Sequence, residues 1–211
     1  MGITDLWLFI TAGFLLNMTP GPDMALIVAR GGQYGVRGGM AAAVGVSAGC
    51  FVHIAAAAFG LSAILMASAV TFTLLKWIGA AYLIYLGLRM LWGSFQVHEA
   101  QPSGALDRRT GLWGIFVQGL LTNALNPKVA IFFLAFLPQF ISADAPSKVT
   151  TFILLGLLFN ANSMAFNLLI AWLAARMTSS PRFGRMRAWV DRTVGALFVA
   201  LGARLALADR A

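Results

Sequence analysis

Apolar residues gather along this chain into six runs separated by short polar links rich in arginine. A helix of roughly 20 apolar residues crosses about 30 Å of hydrocarbon, so each run is a predicted membrane span. The runs extend from Ile3 to Val28, Met40 to Met66, Val70 to Trp92, Leu112 to Phe140, Val149 to Ala175 and Trp189 to Leu207. Two are interrupted by proline: the first at Asn17-Met18-Thr19-Pro20-Gly21-Pro22-Asp23 and the fourth at Asn123-Ala124-Leu125-Asn126-Pro127-Lys128. Proline removes a backbone donor and clashes with the preceding turn, which frees peptide groups that lipid cannot satisfy. The pattern therefore predicts an all-α integral membrane protein of six transmembrane helices, with helices one and four broken at Thr19, Pro20, Gly21 and Pro22 and at Pro127.

The two halves echo one another. Leu15-Leu16-Asn17 precedes Thr19-Pro20, and Leu120-Leu121-Thr122-Asn123 precedes Asn126-Pro127; Gly87-Leu88-Arg89 is matched by Gly202-Ala203-Arg204. The reading is one domain over residues 1–211, made of two three-helix repeats, about 1–93 and about 112–211. An odd number of spans per repeat makes the second copy enter the membrane inverted, which brings both breaks together near the bilayer centre.

Composition agrees with a membrane protein: 60% hydrophobic residues, 10% charged residues and a mean hydropathy of +0.82 leave too little polar surface to solvate a globule. The net charge of +8 and pI of 10.8 do not make a nucleic-acid surface, because the cations lie in the links rather than along one face. Arg30 and Arg37 follow span one, Arg89 stands near the end of span three with Arg108 and Arg109 after it, and Arg176, Arg182, Arg185, Arg187 and Arg192 surround the link after span five. The opposite links and the termini carry mainly Lys148 and Arg210, so the positive-inside rule puts both termini outside. Asp5 is the one charged side chain before the first apolar stretch, with no basic segment ahead of it, so that run is expected as a retained helix and not a signal peptide. The single cysteine, Cys50, has no internal disulfide partner, and no His/Asp/Glu cluster with metal-ligand spacing appears; no cofactor or metal is expected.

Asp23 and Lys128 sit deep in the predicted spans, where each charge costs on the order of 2.5–3.5 kcal/mol. They either neutralise one another and pin span one to span four, or serve a substrate or proton together with Asn17, Asn123 and Asn126. Gln118, Thr122 and Asn126 recur every four residues and share a helical face; Asn160, Ser163 and Asn167 form a second stripe on span five. Such amides are either interhelical glue, worth about 0.6 kcal/mol each, or the lining of a pathway. Ala41, Gly45 and Gly49 make a groove of small side chains in line with His53, suited first to packing; His53 relays protons, contacts substrate or rests on a backbone carbonyl. Gly31, Gly35 and Gly39 in the first link make a hinge or a tight turn.

Taken in order, Thr19-Pro20-Gly21-Pro22-Asp23, the Gly49/His53 pairing, Gly79-Ala80-Ala81-Tyr82-Leu83-Ile84-Tyr85-Leu86-Gly87, Asn126-Pro127-Lys128 and Phe136-Leu137-Pro138-Gln139-Phe140 resemble the lysine exporter and homoserine/threonine exporter family. The likeness covers essentially the whole chain. It implies an exporter of amino acids or close derivatives in the bacterial inner membrane, driven by the proton gradient. The family pattern falls here on Pro20, Gly21, Pro22, Asp23, Asn126, Pro127 and Lys128. Many members carry an acidic residue where this chain has Cys50, so no carboxylate role passes to that position.

An enzyme is not expected, since no nucleophile, acid/base pair or metal set stands at workable spacing. A passive small-solute channel, an exporter of another metabolite and a membrane scaffold remain as alternatives. With no second acidic side chain deep in the spans beside Asp23, a neutral amino acid suits the site better than a dibasic one. The expected partners are that small molecule, protons and membrane lipid, with no nucleic acid; ridges of small residues would permit a homodimer.

Overall fold

The computed structural model describes residues 2–62, 111–142 and 144–176, with scattered positions between 73 and 92 and between 192 and 206. Most of the predicted third and sixth spans, the Arg89 and Arg204 ends of the sequence echo, and the link residues His98, Arg108, Arg109, Arg182, Arg185 and Arg187 lie outside the described residues. Among the described residues the chain is helical, with one isolated antiparallel bridge between Ile3 and Ile141.

Helix α1 (Leu6–Met18) ends at an extended stretch, Thr19 to Gly21, and α2 (Pro22–Ala55) follows. Pro22 stands at the first turn of α2, where a missing N–H costs nothing. A π-helical turn (Ala56–Leu61) prolongs α2. In the second half α3 (Leu112–Ala124) breaks before α4 (Pro127–Ile131), whose N-cap Asn126 accepts a hydrogen bond from the Lys128 amide at 3.0 Å. Residues 112–124 and 127–140 meet at a 43° bend, so the fourth predicted span is broken where Pro127 places the break. A π-helical turn (Phe132–Phe136) and a 3-10 turn (Leu137–Phe140) containing Pro138 lead to α5 (Lys148–Arg176).

The apolar stretch Pro22–Leu61 is 40 residues long, yet it is a hairpin and not a single rod. Gly35 has φ 67 and ψ −163, a conformation open to glycine and closed to most other residues. A Cβ added at Gly39 would lie 3.2 Å from the Gly31 Cα, whereas residues eight apart in a straight helix stand about 12 Å apart. The predicted first link is therefore a tight turn between residues 22–34 and 36–55. One expectation is corrected: Arg30, assigned to the link with Arg37, belongs to the first arm of α2 and is 2% exposed, while Arg37 is at the surface. The helix runs on to residue 34, six residues beyond Val28, and so includes Arg30.

Glycine decides how closely the elements pack. A Cβ at Gly45 would lie 3.1 Å from the Gly119 Cα, and one at Gly49 would lie 3.0 Å from the Ala124 N, so the small-residue groove of α2 is filled by α3. Gly31 and Gly39 receive Ala174 and Ala171 of α5. These ridges are thus taken up within the chain rather than by a second copy. Gly202 stands against Ile84 and the Ala80 carbonyl, which joins the third and sixth predicted spans at that point.

The helices run so that Ile3, Ile141 and Lys148 share one end of the bundle, through the Thr4 N to Phe140 O bond at 2.9 Å and the Ile3–Ile141 bridge. Gly35, Gly111 and Arg176 share the other, because Arg30 meets Gln118 and Gly31 meets Ala174. Trp7, Phe59, Trp113 and Leu125 are exposed on the flanks, with Trp7 towards the first end and Trp113 towards the second, as interfacial tryptophans of a membrane protein stand. Lys148–Arg176 is long and apolar enough to span a bilayer, as is the bent 112–140 pair taken together.

Candidate functional site

A helix break leaves carbonyls unpaired at the end of one segment and N–H groups unpaired at the start of the next. Here each break is served by the charged residue of the other. The Lys128 ammonium, from the start of α4, donates to the Leu16 and Thr19 carbonyls at the end of α1, at 3.1 and 3.0 Å. Gly21 makes room for it, since a Cβ there would stand 3.3 Å from Nζ. In return Asp23, in the first turn of α2, accepts through Oδ2 from Asn123 Nδ2 at 2.8 Å and from Asn126 Nδ2 at 2.9 Å. The cation lies at the negative end of a helix and the anion at the positive end of another, and both contacts are favourable for the peptide dipoles. Asp23 and Lys128 therefore do not neutralise one another through a direct hydrogen bond; the two breaks cross antiparallel and cap each other.

The exchange leaves unused valences. Asp23 Oδ1, Asn123 Oδ1 and Asn17 Nδ2 are buried with no hydrogen-bond partner among the described residues, where the ammonium of Lys128 also retains a third N–H. The orientation of Asn123 is set by chemistry, because a carboxylate only accepts and the amide must turn its NH2 towards Asp23. All four residues line one narrow hollow that opens outwards. Leu16, Thr19, Met24, Val129, Phe159, Ser163 and Asn167 complete its wall. On the Ile3 side an aromatic layer adjoins Phe159, with Phe132 stacked on it at 4.8 Å and Phe9, Phe136 and Phe140 behind.

The remaining predicted residues divide. Asn167 lines the hollow and donates to Ser163 Oγ at 3.2 Å. Asn126 holds Asp23 from behind without reaching the wall. Asn160 accepts from Ser47 Oγ at 3.0 Å, as an interhelical tie between α5 and α2. Gln118 is turned to Arg30, and Thr122 is partly buried away from the hollow, so the Gln118-Thr122-Asn126 stripe is not one lining face. His53 is 7% exposed, and its Nε2 donates to the Asn123 carbonyl at 2.8 Å, since a carbonyl can only accept. It steadies a residue that holds Asp23 and is not itself on the wall. Thr19 bonds its own helix, through Oγ1 to the Leu15 carbonyl at 3.0 Å. The buried guanidinium of Arg30 and the apolar wall of Leu16, Met24, Val129 and Phe159 had no distinct sequence signal, because apolar residues in a membrane span look alike whether they meet lipid or a cavity.

A family model described as LysE type translocator matches residues 14–209. The chain is similar, at 31% identity over 99% of its length and 97% of the other's, to an uncharacterized membrane protein of Pseudomonas aeruginosa. It is 29% identical to a leucine efflux protein of an Enterobacter species, over 97% of this chain and 96% of that one. It is also 29% identical to a homoserine/homoserine lactone efflux protein of Salmonella typhimurium, over 96% of each. No solved structure matches it significantly.

Proposed function

Because the chain belongs to the LysE type translocator family, we propose that it exports neutral amino acids across the bacterial inner membrane by antiport with protons, and that the two crossed breaks form its zwitterion site. The observation that carries this reading is the set of buried unpaired groups around one hollow. Two acceptors, Asp23 Oδ1 and Asn123 Oδ1, suit an ammonium; two donors, Asn17 Nδ2 and the spare N–H of Lys128, suit a carboxylate. Leu16, Met24, Val129 and Phe159 offer an apolar surface to the substrate side chain. Among the described residues Asp23 is the one carboxylate on the wall and Lys128 balances it, which supports a neutral substrate over a dibasic one.

The antiparallel crossing of the first and fourth predicted spans supports two inverted three-helix repeats with the site at their interface. Among the described residues Arg37 and Arg176 stand at the Gly35 end, while Asp5, Asp144 and Lys148 stand at the Ile3 end; this favours a cytoplasmic Gly35 end and external termini. A carboxylate in the site also provides a place for the coupling proton. Each 100 mV contributes about 2.3 kcal/mol per charge, enough for roughly fifty-fold accumulation from one proton.

Purified protein in liposomes loaded with unlabelled leucine tests this directly. Radiolabelled leucine should accumulate transiently by counterflow, saturably, and an inward proton gradient should drive net export. Flux that neither saturates nor shows counterflow would identify a passive channel, and no movement of leucine or any other neutral amino acid would refute the export reading.

A further inference from the structure

Arg30 is among the largest fully buried side chains of the protein, and its acceptors are neutral. Nε and Nη2 donate to Gln118 Oε1 at 3.2 and 2.6 Å, Nη1 donates to Gln33 Oε1 at 2.9 Å, and the Tyr34 ring lies 5.7 Å from the guanidinium carbon. Three of five N–H groups are thereby used, and the planar fork that matches a carboxylate is filled by a single amide oxygen. Among the described residues Arg30 has no anionic partner; a buried cation held by dipoles alone is expensive in a membrane protein, and a residue so placed points to a functional site.

Its position relates that site to the hollow. Arg30 lies on the same helix as Asp23, about 10 Å nearer the Gly35 turn at 1.5 Å per residue. Gln118 lies on the same helix as Asn123, displaced the same way. The seam between α2 and α3 is thus held at two levels, by Asp23 with Asn123 beside the hollow and by Arg30 with Gln118 further out. The neighbouring seam between α2 and α5 is shut at this level by Gly31 and Gly39 against Ala174 and Ala171. A solute that left the hollow along the α2–α3 seam towards the Gly35 end would meet the guanidinium.

We propose that Arg30 is a second subsite for the carboxylate of the exported amino acid, on the Gly35 side of the hollow, and that Gln118 occupies the guanidinium when no substrate is present. The carboxylate takes the place of the Gln118 amide oxygen, then passes to Asn17 and Lys128 as the ammonium reaches Asp23. This rests on the amino-acid export reading.

The test is leucine counterflow in liposomes with three variants, each first shown to be monodisperse and to melt within a few degrees of the unmodified protein. Arg30→Gln removes the subsite and should raise KM for leucine at least ten-fold. Gln118→Glu supplies a permanent carboxylate, should leave the fold intact or more stable, and should raise KM similarly by blocking the fork. Gln118→Leu frees the guanidinium and should hold KM within two-fold or lower it. If Arg30→Gln does not fold, the contrast between the two Gln118 variants decides. Loss of transport in Gln118→Leu equal to that in Gln118→Glu would make the pair a structural latch and overturn the proposal, as would an unchanged KM in Gln118→Glu or in a folded Arg30→Gln. No counterflow by the unmodified protein would instead refute the export reading itself.

Discussion

Replacing Asp23 with asparagine separates the two tasks that its carboxylate performs. Oδ2 holds Asn123 and Asn126, and Oδ1 is the unpaired acceptor beside the hollow. The replacement amide still offers one oxygen to the two asparagines, so the crossing of the breaks survives with neutral hydrogen bonds in place of charge-assisted ones. At about 1 kcal/mol lost per bond, the fold weakens by about 2 kcal/mol. The other task fails outright, because an NH2 group now faces the substrate ammonium. A hydrogen bond to a charged group contributes about 1.5–3 kcal/mol, so affinity for leucine should fall about ten- to a hundred-fold. Counterflow in liposomes measures KM, and a thermal melt in detergent measures the fold. A D23N protein with a nearly normal melt and a KM within two-fold of the unmodified one would refute the assignment of Asp23 to the ammonium.

Lys128→Met should lower stability by about 1–3 kcal/mol, since the Thr19 carbonyl loses its donor at a buried break, and the thermal midpoint reports it. Exchanging the charges, with Asp23→Lys and Lys128→Asp together, should abolish folding, because an ammonium would meet the NH2 groups of Asn123 and Asn126 and a carboxylate would meet the Leu16 and Thr19 carbonyls; a folded, monodisperse double variant would show that the reciprocal caps are not what holds the breaks. Gly49→Ala should cost about 1–3 kcal/mol, as the added methyl would lie 2.9 Å from the Asn123 Cβ and 3.0 Å from the Ala124 N, and it should reduce transport by shifting Asn123. His53→Gln keeps a donor for the Asn123 carbonyl and should leave the pH profile of efflux unchanged, whereas a displaced profile would make His53 a proton carrier.

Much of this protein follows from residue order alone. Proline has no N–H, so Pro20, Pro22 and Pro127 set where the helices break whatever surrounds them, and the length of the apolar runs sets the membrane class. Gly35 is legible as a turn for a similar local reason. The partners of Asp23 and Lys128 are not legible in this way, because residues about a hundred positions apart meet only when two helices cross at one depth and angle. The same holds for Arg30, whose neighbours in sequence look like a basic link, and for Gln118, which shares a helical period with Asn126 but faces another helix. Periodicity tells which residues share a face; packing of glycine against backbone decides what that face meets, and so which polar atoms remain unpaired around the hollow.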